Sequence, residues 1–142
     1  MTGVVLHGIS HDSHGVRPGD LYLGRPGERA HGARFAAEAV AAGAVALLTD
    51  AEGAELASGL AVPVIVVSDA REVAGRVAGW VYGDPSAGMR LIGVTGTNGK
   101  TTTCYLFDAA LRAAGEVTGL VGTVETRIAG EVVPSVRTTP EA

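Results

Sequence analysis

Gly93-Val94-Thr95-Gly96-Thr97-Asn98-Gly99-Lys100-Thr101-Thr102-Thr103 is the stretch on which the fold turns. The apolar run 91–95 leads into it and reads as a buried strand. Behind it, Cys104, Phe107, Leu111 and Ala114 recur at helical spacing, with Asp108 and Arg112 as an i,i+4 pair elsewhere on the same helix. A strand, a glycine-rich turn and a helix in immediate succession form the context that a phosphate-binding loop requires. Gly96 and Gly99 permit backbone angles that turn successive N–H groups inward and let a phosphate approach closely. The helix start adds unpaired donors and partial positive charge. Lys100 is expected to set its charge on β- and γ-phosphates as the catalytic group, and the Thr101 hydroxyl to ligate Mg²⁺. Gly96, Thr97, Asn98, Gly99, Lys100, Thr101 and Thr102 are therefore the candidate nucleotide-binding residues. A bare Gly/Thr-rich helix entry is the competing reading. The general pattern Gly-x4-Gly-Lys-Thr asks for glycine at position 94, where Val94 stands, and this disfavours small GTPases and ordinary nucleotide kinases.

The rest of the chain alternates strand and helix signals. Downstream, Gly115 ends the helix, 117–121 reads as a strand, and 124–128 with 132–136 flank Ala129-Gly130-Glu131 as a hairpin. Upstream, strands are expected at 4–9, 20–23, 44–48 and 63–67, the last buried on both faces because it is so β-branched. Helices are expected at 33–42 and 51–58. A third opens at Asp69, which has capping-box spacing to Glu72, and carries Val73, Val77 and Val81 as its stripe. This order predicts an α/β chain with a small Rossmann-like parallel sheet over residues 1–83. Pro and Gly then mark a linker at 84–90, and residues 91–142 read as the incomplete beginning of a P-loop ATPase domain.

Composition excludes several classes. The 142 residues carry 46% hydrophobic and 18% charged side chains and a net charge of -4, unlike a disordered tail or a nucleic-acid-binding surface. The single Cys104 asks for no oxidising compartment and reads as a core residue. No apolar run reaches the roughly 18 residues that span a bilayer, and no secretory signal opens the chain. A cytoplasmic protein, with no nucleic acid or membrane as partner, is the expectation. Arginine outnumbers lysine ten to one, so Lys100 is the only lysine available. His7, His11 and His14 could suggest a metal site on a helix, but Gly8 and the β-branched neighbours argue for strand and turn.

At Thr95-Gly96-Thr97-Asn98-Gly99-Lys100-Thr101-Thr102 the sequence resembles the Mur ligases, ATP-dependent enzymes that extend the peptide of UDP-N-acetylmuramoyl precursors of peptidoglycan. His11-Asp12-Ser13 followed by Val16-Arg17-Pro18-Gly19-Asp20-Leu21-Tyr22 is similar to that family's N-terminal uridine-nucleotide domain. Gly122-Thr123-Val124 and Thr138-Thr139-Pro140-Glu141 resemble the third ligase of the pathway, which adds a diamino acid, meso-diaminopimelate or lysine.

The resemblance implies ATP and Mg²⁺, a UDP-N-acetylmuramoyl-dipeptide and a diamino acid as substrates, and a monomer. It implies that His11 and Ser13 contact the uridine diphosphate, that Glu28, Arg29 and Ala30 form a loop closing on the same group, and that Arg137, Thr138 and Thr139 meet the muramoyl-peptide. It also implies amide formation through an acyl phosphate. The family reads Asp-Ser-Arg where this chain has Asp12-Ser13-His14, which replaces a permanent cation by a side chain mostly neutral near neutral pH. Without the resemblance, Asp12-Ser13 reads as a turn and Thr138-Thr139 as an extended segment before Pro140. The family further needs an acidic Mg²⁺ ligand, a carbamylated lysine and a third domain, none found in these 142 residues, so the chain alone is expected to be inactive. Other classes in view are a non-catalytic UDP-sugar-binding module, another amide ligase of the superfamily (the fourth muramyl ligase, a folylpolyglutamate or cyanophycin synthetase), and a generic P-loop kinase.

Overall fold

Alternating strand and helix signals produce a parallel sheet because a chain that returns to run in the same direction needs a crossover connection, usually a helix. The computed structural model describes residues 3–133 and divides into two units between Met89 and Arg90. In the first, β1 (Gly8–Ser10), β2 (Asp20–Gly24), β3 (Ala46–Thr49) and β4 (Val64–Val66) form an all-parallel sheet in the order β1-β2-β3-β4. The pleat sends Leu21, Leu23, Ala46 and Leu48 to one face. There they pack with Ala70, Val73, Ala74 and Val77 of α3 (Ala70–Val81). Tyr22 and Leu47 point the other way, against Ala36 and Ala39 of α1 (Ala36–Ala41) and Ala57 at the end of α2 (Ala51–Leu56). Helices on both faces give the central strands β2 and β3 the complete burial that parallel sheets require. Asp69 caps α3 as the sequence predicts, accepting from the N–H groups of Arg71 (2.8 Å) and Glu72 (3.1 Å).

Several boundaries differ from expectation, each for a physical reason. The first strand is Gly8–Ser10, not 4–9: β2 begins only at Asp20, and upstream of it the His7 N–H bonds the Gly19 carbonyl (3.0 Å) without extending the ladder. The helix expected over 33–42 starts as a 3₁₀ turn, Gly32–Phe35, and becomes α-helical at Ala36. The third strand runs Ala46–Thr49, two residues later than its apolar run begins. The strand expected to be buried on both faces is the exposed one. Val64, Ile65 and Val66 are 36%, 44% and 53% accessible, because β4 lies at the edge of the sheet.

The second unit holds α4 (Lys100–Ala113) and the antiparallel sheet β5 (Gly119–Val121), β6 (Thr126–Ile128) and β7 (Glu131–Val133). The hairpin is present, with Ala129 and Gly130 at φ 51° and 89° forming a two-residue turn between paired Ile128 and Glu131. Residues 91–95 are not the buried strand expected. They are not in a ladder with any described residue, and Leu91 and Ile92 are exposed. On α4 the apolar stripe is only partly covered: Cys104 and Leu111 are half-buried, while Phe107 and Ala114 are exposed. The one buried α4 residue is Asp108.

Candidate functional site

In a parallel sheet all carboxyl ends of the strands meet one edge, where ligands of open α/β folds bind. Residues 11–16 leave that edge after β1, and residues 25–31 leave it after the neighbouring β2. Topology thus brings His11 and Ser13 to the same edge as Glu28, Arg29 and Ala30. In the first loop Ser10 Oγ donates to the Asp12 carbonyl (2.8 Å) and accepts from the Asp12 N–H (3.2 Å). Asp12 Oδ1 accepts from the His14 N–H (3.1 Å), so the turn reading of Asp12 holds as well. The Ser13 side chain is buried. Its hydroxyl donates to Glu38 Oε2 of α1 and lies 3.2 Å from His14 Nδ1. The exposed His14 ring sits 3.4 Å from Glu38 Oε1 and 3.8 Å from Asp12 Oδ1, which places imidazole between two carboxylates. His7, His11 and His14 do not gather into a metal site, and among the described residues no group of three potential ligands does.

The second loop is closed on itself by Gly32 N–H to the Arg25 carbonyl (2.8 Å) and Gly27 N–H to the Ala30 carbonyl (3.2 Å). Its tip exposes Glu28 and Arg29, and its base is anchored by buried side chains that sequence reasoning missed. Tyr22 donates its phenol to the Gly32 carbonyl (2.9 Å), and Thr49 donates to the Gly24 carbonyl (2.5 Å). His31 Nδ1 accepts from the Ala33 N–H (3.1 Å), so its ring proton is assigned to Nε2, which donates to Asp50 Oδ1 (3.0 Å). Asp50 also accepts from the Gly53 N–H (2.8 Å) and so caps α2. That main-chain N–H holds the Asp50 carboxyl below its ordinary range, opposed by burial and reinforced by His31. Burial raises the Tyr22 phenol, and the Asp12 and Glu38 carboxylates push the same way, which keeps it a donor. Gly53 admits α2 to this cluster: a Cβ there would stand 1.8 Å from Thr49 Oγ1 and 2.6 Å from His31 Cε1. The only sequence signal for these residues was Asp50 preceding a helix, and the adjacency of His31 to Ala30.

In the second unit, Gly96 and Gly99 take φ +148° and +77°, and α4 starts at the next residue, Lys100. A side chain at Gly99 would meet nothing within 4 Å, so its backbone angle and not space demands glycine. Gly96, Thr97, Asn98, Gly99, Lys100 and Thr102 are exposed and Thr101 is half-buried. Lys100 Nζ curls back to donate to the carbonyls of Gly96 (2.5 Å) and Thr97 (3.4 Å). An ammonium, first-turn N–H groups without intrahelical acceptors and a hydroxyl at Thr101 form a donor set that suits a phosphate with its divalent cation. Behind the loop, the buried Asp108 accepts from Thr118 Oγ1 (2.5 Å) and Arg127 (3.4 Å) and pairs with Arg112 (3.8 Å), tying α4 to the hairpin. The Asp108–Arg112 pair is present as expected, but Asp108 is an interior group. Arg137, Thr138 and Thr139 lie outside the described residues.

Two family models match the chain: residues 5–82 match the Mur ligase family, catalytic domain, and residues 94–142 match the Mur ligase middle domain. A UDP-N-acetylmuramoyl-L-alanyl-D-glutamate–2,6-diaminopimelate ligase of Streptomyces coelicolor is 53% identical over 96% of this chain and 27% of its own length. The protein of that name from Corynebacterium glutamicum is 52% identical over 94% of this chain and 26% of its own. A solved structure of a UDP-N-acetylmuramoyl-L-alanyl-D-glutamate–2,6-diaminopimelate ligase superposes with a TM-score of 0.73 at 28% identity, covering 91% of this chain and 26% of that one. The chain therefore spans about a quarter of the length of the relatives it matches.

Proposed function

The chain belongs to the Mur ligase family, and from that premise we propose that it supplies the uridine-nucleotide unit and the start of the ATP-binding unit of a ligase adding meso-diaminopimelate to UDP-N-acetylmuramoyl-L-Ala-D-Glu. The observation that carries this reading is identity of about half to ligases of that name along nearly the whole chain. The geometry agrees with it. His11 and Ser13 share a sheet edge with Glu28, Arg29 and Ala30, as a nucleotide held between two loops requires, and the 96–102 loop opens a helix. Lys100 then neutralises the β- and γ-phosphates of ATP while a carboxylate of the muramoyl-dipeptide attacks the γ-phosphorus, breaking its bond to the β–γ bridging oxygen and expelling ADP. The resulting acyl phosphate yields an amide and phosphate when the amine of the diamino acid attacks. Thr101 would be one ligand of a bound Mg²⁺, which would supply charge neutralisation at the phosphates. Arg137, Thr138 and Thr139 hold the muramoyl-peptide. The ligase is cytoplasmic and monomeric, and the 142 residues alone do not form the amide.

Two measurements test the reading. Calorimetric titration of the chain with UDP should show one site, and its absence removes the uridine-nucleotide assignment. In a full-length ligase carrying this sequence, Lys100→Ala should lower turnover by at least ~100-fold, as for other preorganised charge-stabilising groups. Near-normal turnover in that variant removes Lys100 from the chemistry.

A further inference from the structure

The loop at 25–31 has an exposed tip and a buried polar base, an arrangement that folding alone does not demand. Its base receives Tyr22 from β2, Thr49 from β3 and Asp50 from the cap of α2, and the last contact is made through the loop's own His31. The His31 and Asp50 side chains are only 5% and 18% accessible. An apolar pair of similar volume would fill that space without the desolvation cost of burying imidazole and carboxylate. Directed hydrogen bonds add orientation. His31 Nδ1 fixes the following 3₁₀ turn at Ala33, and Nε2 fixes the loop against α2, so one ring sets both the exit direction and the height of the residue after Ala30.

Resting on the nucleotide reading above, we infer that His31 and Asp50 are positioning residues for the uridine-diphosphate group, holding Glu28, Arg29 and Ala30 at the sheet edge without touching the ligand themselves. The two are separable by substitution. Asp50→Asn retains an oxygen that accepts from both His31 Nε2 and the Gly53 N–H. His31→Asn keeps a short acceptor for the Ala33 N–H but cannot reach Asp50.

The test uses the whole 142-residue chain with UDP as probe, titrated calorimetrically. His31→Asn should weaken UDP binding by about tenfold, the worth of one directed hydrogen bond, with the amide resonances of Glu28, Arg29 and Ala30 displaced and those of α3 and α4 unmoved. Asp50→Asn should bind UDP within about twofold of wild type, since its acceptor geometry is kept. A His31→Asn chain that binds UDP as wild type does, or an Asp50→Asn chain that loses as much as His31→Asn, overturns the inference. Should His31→Asn fail to fold, amide exchange of wild type decides. The Gly27 and Gly32 N–H groups must be protected before UDP is added, and exchange at unprotected rates overturns the inference. Absence of UDP binding by wild type overturns the nucleotide reading and this inference with it, whereas wild-type binding that ignores His31→Asn removes the inference alone.

Discussion

Replacing glycine by alanine inside a helix is ordinarily favourable, by up to about 1 kcal/mol, because alanine loses less backbone entropy on folding. Two glycines here should give opposite signs. Gly75, in the middle of α3, has nothing within 4 Å of a built Cβ, so Gly75→Ala should stabilise the first unit by about 0.5–1 kcal/mol. Gly53, in α2, has Thr49 Oγ1 at 1.8 Å and Thr49 Cβ at 3.0 Å from the same construction, with His31 Cε1 at 2.6 Å. The Thr49 hydroxyl cannot swing away cheaply, because it is fully buried and bonded to the Gly24 carbonyl. Losing that bond and leaving a buried carbonyl unpaired costs about 1–3 kcal/mol. Displacing packed atoms adds about 1–3 kcal/mol. Set against a helix-propensity gain of about 1 kcal/mol, these costs leave Gly53→Ala destabilised by about 1–5 kcal/mol. Trp80, the chain's single tryptophan, lies on α3, so urea unfolding followed by its fluorescence reports on this unit. A Gly53→Ala midpoint at or above wild type, with Gly75→Ala raised as expected, would refute the close approach of α2 to Thr49 and His31.

Asp50 should make the first unit acid-sensitive. Its folded-state carboxyl is lowered from 3.8, so its contribution is complete above that value and lost as pH falls through the lowered one. Urea midpoints measured from neutral to acid pH should show the wild-type advantage over Asp50→Asn shrinking over that descent. A constant or widening gap contradicts the assignment. In the second unit, Asp108→Ala should cost about 2–3 kcal/mol, less than the ~3–5 of a fully buried pair because water reaches both guanidinium partners, whose side chains are 22% and 48% accessible. Far-UV circular dichroism should report earlier loss of α4 in that variant, and an unchanged transition would return Asp108 to the status of a surface charge. Lys100→Ala in the full-length ligase, as above, should leave the Trp80 transition of the first unit unmoved while lowering turnover by at least ~100-fold.

What the sequence disclosed was whatever depends on neighbours along the chain. The parallel α/β order, the Asp69 cap and the hairpin at Ala129-Gly130 are local signals, and each is present. Burial of the Val64–Val66 strand depends on strand order, which no periodicity encodes, and its β-branched run suits an edge as well as a centre. Residues 91–95 look like a strand by composition, but a strand exists only where another segment takes up its N–H and C=O groups. Within the candidate site, the glycine loop was legible because its residues are contiguous. Thr49 and Gly24 are 25 apart, and His31 and Asp50 are 19 apart, so their partnership could emerge only from the folded chain. The burial of Asp108 was hidden for the same reason: the pair with Arg112 is local and is present, whereas Thr118, just ahead of β5, and Arg127 of β6 meet Asp108 only in the folded unit.

The two loops are held in shape by different restraints, and on the proposed reading the difference bears on how each would bind. In the 25–31 loop the restraints come from buried side chains of neighbouring elements, so a ligand at Glu28, Arg29 and Ala30 need not break them. Its ordering cost is met on folding, which leaves more of the contact energy for affinity. In the 96–99 loop the restraint comes from Lys100 itself, whose ammonium is bonded to the Gly96 and Thr97 carbonyls. A phosphate engaging that ammonium competes with those carbonyls, and the exposed bonds it replaces are weak in water. If the proposed sites bind, recognition at the first loop is governed by preorganisation, and at the second by an exchange of acceptors around one charge. Substitutions far from the ligand, such as those at His31 or Gly53, belong to the first regime, and only Lys100 and the glycines beside it to the second.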